Sequence, residues 1–163
     1  MKLTREQDTE ALATAFCDGF SRGDTILLSG DIGAGKSFFA RAVIRNLLAR
    51  FDVVEDIPSP TFTLVQTYQA GDLEIWHSDL YRLSTVDEVF ELGLIDAFSE
   101  ALCLVEWPDR LADLAPPSAL SLHFDIPEDL GQRDLTVSAR DPKWDWVKVA
   151  LQNLSTDRVA ADG

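Results

Sequence analysis

Apolar residues fall in short blocks whose period switches between helical and strand-like along the chain. Near the start, Ala11, Leu12, Ala15, Phe16 and Phe20 recur at helical spacing, which predicts an amphipathic helix. Thr4 with Gln7 three residues later reads as its capping box, and Gly19 and Gly23 read as its stops. Thr25-Ile26-Leu27-Leu28-Ser29 is a continuous apolar run, the pattern of a strand buried on both faces. A glycine-rich turn follows, then a predicted helix to about Arg50. Phe39, Val43 and Leu47 form its stripe, with Ala40, Ile44 and Leu48 beside them. Strand, turn and helix in this order open an α/β unit.

The middle of the chain is strand-like. Thr61 to Tyr68 and Glu74 to Leu80 are two strand candidates, split by Gln69-Ala70-Gly71-Asp72, which reads as a hairpin turn. Short helices are predicted over Thr85 to Leu92 and Leu94 to Ser99. Ala101 to Val105 is a second buried-strand pattern; it ends in Glu106 and is closed by Pro108. Ala119 to Ile126 and Asp134 to Ser138 read as two further strands around a turn at Gly131. Trp144, Val147 and Leu151 predict a last helix, and the small, polar tail from Ser155 is expected to fray. Residues 1–154 are thus read as one domain, followed by a frayed 155–163.

Composition narrows the classes. With 163 residues the chain has room for one core and little more. Two cysteines, Cys17 and Cys103, cannot build a disulfide framework, so a reducing compartment is expected. No apolar run approaches a membrane span and the first residues carry no signal-peptide core. The expectation is a cytoplasmic protein without membrane contact. Fourteen Lys and Arg against 28 Asp and Glu give a net charge of −14. That field repels phosphate backbones and argues against unaided contact with DNA or RNA. Asp87, Glu88, Glu91, Asp96, Glu100, Glu106, Asp109 and Asp113 crowd one stretch in which Arg110 is the only base. It reads as a solvated acidic face or as a docking face for a basic protein partner.

One segment carries specific chemistry. Gly30-Asp31-Ile32-Gly33-Ala34-Gly35-Lys36-Ser37 matches the phosphate-binding pattern G-x-x-x-x-G-K-[ST] at every fixed position, between a buried strand and an amphipathic helix. Its glycines let successive N–H groups turn inward as an anion nest. The next helix aims its positive end at the phosphates. Lys36 supplies a point charge for the β and γ phosphates, and Ser37 a hydroxyl for Mg²⁺, which wants oxygen ligands. Two acids end strand candidates: Glu106 after Leu102 to Val105, and Asp79 after Ile75 to Ser78. Strand C-termini gather at the nucleotide edge of a parallel sheet. Either acid suits Mg²⁺, and the other is then placed to orient the attacking water. No Asn-Lys guanine motif occurs, which favours ATP over GTP. The predicted class is therefore α/β with a P-loop NTPase fold. It has a mainly parallel central sheet flanked by helices, a mid-chain β-hairpin and antiparallel C-terminal edge strands.

Three further segments, Ser59-Pro60-Thr61-Phe62-Thr63-Leu64-Val65, His77-Ser78-Asp79-Leu80-Tyr81-Arg82-Leu83 and Leu104-Val105-Glu106-Trp107-Pro108, stand in order behind the phosphate loop. Together these resemble the bacterial TsaE (YjeE) family over roughly residues 4–140. Most members have Thr-Thr at Ser37-Phe38 and Phe at Ser78; Ser37 keeps the hydroxyl. The resemblance implies an Mg²⁺-dependent ATPase subunit of the pathway that places threonylcarbamoyl on the adenosine beside the tRNA anticodon. It implies docking on a TsaB–TsaD pair, with tRNA met only through the complex. It assigns phosphate contacts to the loop residues Asp31, Ile32, Gly33, Ala34, Gly35, Lys36, Ser37 and Phe38, and metal to Ser37 and Glu106. Lys36, Asp79 and Glu106 carry the catalytic work. It makes Ser59 to Thr63 a nucleotide-sensing switch with Thr61 or Thr63 as its hydroxyl. Trp107 lies beside the site and Arg133 contacts the nucleotide. His77 is read as packing within its strand. Two rival classes stay open: an independent small-molecule kinase, and a nucleotide-gated binding module with vestigial hydrolysis. Only Arg110, Arg133, Arg140 and Arg158 follow Pro108, thin for a kinase lid.

Overall fold

The computed structural model describes residues 1–128 and 131–163. Seven strands form one sheet in the order β1-β7-β6-β2-β5-β4-β3. They are β1 (Lys2–Leu3), β2 (Thr25–Gly30), β3 (Val65–Ala70), β4 (Leu73–Asp79), β5 (Leu102–Glu106), β6 (Leu120–Asp125) and β7 (Arg133–Ser138). The four central strands β6, β2, β5 and β4 run parallel. β3 joins β4 antiparallel as the hairpin, and β7 and β1 close the other edge antiparallel. This is the α/β class read from the sequence; the two-residue β1 is too short to leave a pattern of its own.

Helices cover both faces. On one face α1 (Glu6–Cys17), α2 (Lys36–Ala49) and α5 (Asp145–Asp162) pack against Ile26, Leu28, Leu104 and Leu122. The predicted α2 stripe is buried throughout. In α1, Leu12 and Phe16 are buried as expected, but Ala13 and Cys17 join them while Ala11 stays in solvent. Phe16, Phe20, Trp144 and Trp146 meet edge-on, at centroid distances of 5.7–6.3 Å, and dock α5 on this core. On the other face α3 (Val86–Glu91), α4 (Leu94–Glu100) and a 3₁₀ segment, Pro108–Leu114, cover Cys103 and Val105. Burial pushes both cysteine thiols up to about 12, so neither is a nucleophile.

Three expectations are corrected. Thr61 to Leu64 are turn, not strand. The Leu64 amide bonds the Pro60 carbonyl at 2.7 Å, and Leu64 takes a φ of 68°, so the chain curls before β3 begins. The cap of α1 is not Thr4 with Gln7. Asp8 Oδ2 accepts from the Thr4 amide, the Thr4 hydroxyl and the Arg5 amide at 2.8–3.0 Å, because the helix begins one residue later than that box requires. The tail from Ser155 is helical to Asp162 rather than frayed. Leu154 packs on the core, and Arg158 bonds the Lys2 carbonyl and pairs with Asp8.

Asp8 thus ties both ends of the chain together. Burial raises its pKa, but the Thr4 and Arg5 donors and Arg158 outweigh burial and hold it at about 2 against an ordinary 3.8. A depressed carboxylate stabilises the fold above 3.8, and that contribution is lost as pH falls toward 2. Asp8→Asn is expected to cost about 1–2 kcal/mol at neutral pH. It should also flatten the acid limb of the stability curve. Urea midpoints of both proteins at neutral pH and near pH ~3 check this; parallel acid limbs would refute it.

Candidate functional site

The phosphate loop leaves β2 at the centre of the sheet. Gly30, Gly33 and Gly35 hold φ values of 135°, 81° and 112°, a region open to glycine and strained for other residues. At Gly30 a Cβ atom would also stand 2.2 Å from the Phe124 carbonyl oxygen of β6. The loop curls as it does because its first residue has no side chain. α2 then starts at Lys36 behind a left-handed Gly35, with no side chain capping its first turn. Its free N–H groups form an anion seat.

The sheet register delivers the acids. Glu106 of β5 lies beside Leu28 of β2 on one side and Asp79 of β4 on the other. Of the eight acids between Asp87 and Asp113, Glu106 alone is buried, at 2% exposure. Its Oε1 accepts from the Ser37 hydroxyl and its Oε2 meets His77 Nε2, both at 2.7 Å. Asp79 Oδ1 accepts the Tyr81 amide at 3.0 Å, and Oδ2 the Thr61 hydroxyl at 3.3 Å. Ser59 and Thr61 hydroxyls lie 2.9 Å apart.

Lys36 faces these acids across a cleft of about 430 Å³. Its Nζ donates to the Gly30 and Asp31 carbonyls and stands 4.3 Å from the Trp107 ring centre. Burial pulls its pKa down, against the opposing pull of Glu106, Asp79 and Asp31. Trp107, at φ 59°, packs against Tyr81 with the rings tilted by 51° and their centres 4.7 Å apart. The Ser37 and Glu106 oxygens are hard donors that fit Mg²⁺, an ion that keeps water and phosphate as its other ligands. Among the described residues no cluster of three or more His, Cys, Asp or Glu forms a metal cage.

Most expected site residues meet here. Ile32, Gly33, Gly35, Lys36, Ser37, Phe38, Thr61, Asp79, Glu106 and Trp107 all line the cleft. Ala34 and Arg133 line a smaller adjoining cleft of about 210 Å³ on the far side of Gly33. Arg133 donates to the Gly33 carbonyl at 3.3 Å. Asp31 enters through its backbone carbonyl and lines neither cleft, because its side chain points to solvent. Thr63 is the exception among the hydroxyls. It is exposed and accepts from Gln66 at 2.9 Å, so of the two threonines only Thr61 reaches the acids.

Arg41 escaped the sequence reading, and two motif residues do more than it gives them. His77 packs within its strand as expected and also bonds Glu106; its place two residues before Asp79, on the same strand face, is the available signal. Arg41 lines the cleft one helical turn beyond Ser37, with its Nε buried and without a partner. Tyr81 walls the cleft opposite Lys36 by its packing against Trp107.

Comparison with known proteins bears on the family and the fold. The family model described as threonylcarbamoyl adenosine biosynthesis protein TsaE matches residues 3–135. A Rickettsia felis protein named tRNA threonylcarbamoyladenosine biosynthesis protein TsaE is 36% identical over 76% of this chain and 71% of its own. The Bacillus subtilis protein of the same name is 32% identical over 85% of this chain and 84% of its own. The crystal structure of Bacillus subtilis YdiB superposes with a TM-score of 0.70 at 25% identity, covering 97% of this chain and 94% of that one.

Gly30→Ala combines a disfavoured φ with a backbone overlap, so it is expected to destabilise the fold by about 2–4 kcal/mol. Thermal unfolding reads the loss. A melting temperature equal to wild type would show that the loop does not need glycine there.

Proposed function

The chain belongs to the TsaE family of threonylcarbamoyl adenosine biosynthesis proteins, and on that footing we propose that it hydrolyses ATP with Mg²⁺ in the service of tRNA modification. The observation that carries the reading is the 2.7 Å contact between Ser37 and Glu106 at the mouth of the phosphate loop, with Asp79 beside it. The loop amides and the start of α2 bind the phosphates. Lys36 exchanges its two carbonyl partners for phosphate oxygens. Ser37 and Glu106 would hold Mg²⁺, which would supply positive charge near the transferring phosphoryl group. Asp79 orients the attacking water. The smaller cleft past Gly33 seats the nucleoside, with Arg133 at its edge.

Several features support a partner-dependent enzyme. A net charge of −14 opposes direct contact with tRNA, so the RNA is met through other chains. We assign that role to a TsaB–TsaD pair. Among the described residues none forms a lid over the cleft, and Thr61 stands next to the exposed Phe62 and Thr63, where a docked partner would reach it. No helix among the described residues is long and apolar enough to cross a membrane, in keeping with a cytoplasmic role.

Phosphate release should be slow with the purified chain, strongly stimulated by the TsaB–TsaD pair, and unchanged by tRNA alone. Lys36→Ala should abolish the stimulated rate. It should also weaken nucleotide binding about 10- to 100-fold, the worth of a charge-assisted contact of about 1.5–3 kcal/mol. Full activity in isolation, indifferent to the pair, would move the assignment to an independent kinase or hydrolase.

A further inference from the structure

His77 lies on the inward face of β4 between Ile75 and Asp79, and its neighbours across the sheet are Leu104 of β5 and Gln66 of β3. Its surroundings are core: Ile75 and Leu104 are fully buried, and His77 itself is 0% exposed. Packing alone would be served better there by an aliphatic side chain, since a buried imidazole must be partnered on both nitrogens to avoid a desolvation cost. Only one is partnered. Nε2 meets Glu106 Oε2 at 2.7 Å, whereas Nδ1 has no partner. Facing a carboxylate oxygen, Nε2 carries the proton and donates it. Among the described residues the imidazole thus places one donor behind one carboxylate oxygen.

We propose that His77 is a positioning residue for the metal site: it clamps Glu106 Oε2 so that Oε1 is presented to Ser37 and to the cation. The proposal rests on the reading of Ser37 and Glu106 as metal donors. A carboxylate turns about its terminal torsion with little hindrance. Ser37 fixes one oxygen from the α2 side, and the imidazole fixes the other from below. With both held, the carboxylate plane is set before the metal arrives. Loss of a partner that orients a metal ligand typically lowers metal affinity by about 10- to 100-fold. His77 is fully buried and its side chain bonds Glu106, so its effect reaches the nucleotide through that carboxylate and the cation it holds.

Calorimetry separates this role from a structural one. Affinity for a non-hydrolysable ATP analogue is measured with and without Mg²⁺ in wild type, His77→Leu and His77→Gln. His77→Leu is expected to lose about 10- to 100-fold of the Mg²⁺ enhancement. Its metal-free affinity should not fall; its melting temperature should, because the buried Glu106 loses one of its two donors. His77→Gln, whose amide can donate to Glu106, should recover most of the enhancement. An unchanged enhancement in His77→Leu overturns the proposal, and so does an equal loss with and without metal. Imidazole ¹⁵N shifts of metal-free wild type give a second readout that needs no variant to fold. They should show a proton on Nε2; a bare Nε2, with the proton on Nδ1 only, overturns the clamp. A wild type with no Mg²⁺ enhancement would instead remove the metal assignment of Ser37 and Glu106 themselves.

Discussion

A carboxylate taken almost wholly out of water has to be held by donors, and the architecture of this protein converges on doing so for Glu106. The two donors come from separate elements: Ser37 from the first turn of α2 and His77 from the middle of β4, each 2.7 Å away. They meet only because β2, β5 and β4 are parallel neighbours in one register. A slip of one residue in β4 would turn His77 and Asp79 to the opposite face and bring Ser78 in their place. The antiparallel strands at the two edges carry no such obligation. The chemistry sits on the parallel strands, the part of the sheet where register is least free.

What the sequence revealed follows the same division. The phosphate loop, β2, α2 and β5 were legible because buried strands and amphipathic helices write their period directly into the apolar pattern. Glu106 was legible as the acid closing an apolar run. Thr61 to Leu64 misled, because two threonines and a phenylalanine favour strand locally. The Pro60 carbonyl and the left-handed Leu64 override that preference in three dimensions. The tail misled in the opposite sense. Its small residues promise little packing, yet Arg158 finds Asp8 and the Lys2 carbonyl, more than 145 positions away in the chain. The bond from His77 to Glu106 was hidden for a different reason: a histidine within an apolar strand gives no sign of which neighbour it will face. Tertiary partners of this kind are set by register, which one sequence specifies only indirectly.

The acidic surface gains meaning from the same contrast. Around Glu106 the other acids of the 87–113 stretch stand at the surface, where solvent screens them and each contributes little to stability. Glu106 is the one whose charge acts in a confined space, close to Lys36 and Trp107. Local charge near the cleft is thus balanced, while the outside is strongly negative. The net charge repels a polyanion from the body of the molecule, while the loop offers cationic and N–H groups to a single triphosphate. Under the proposed function, small-nucleotide binding and avoidance of RNA would be compatible for that reason.

The two site acids are held with unequal firmness. Glu106 is gripped at 2.7 Å by groups that belong to the sheet and to α2. Asp79 is held on one oxygen by the Tyr81 amide and on the other, at 3.3 Å, by Thr61. Thr61 belongs to a turn whose next residue, Phe62, is 85% exposed and lies under the Arg82 guanidinium at 5.6 Å. Pressure on Phe62 from outside would therefore reach Asp79 through one residue, while Glu106 would not feel it. Glu106, the metal donor under the proposed function, is thus held from inside the fold, and Asp79 partly from its surface. On that reading, binding and hydrolysis of the nucleotide would rest on differently anchored acids.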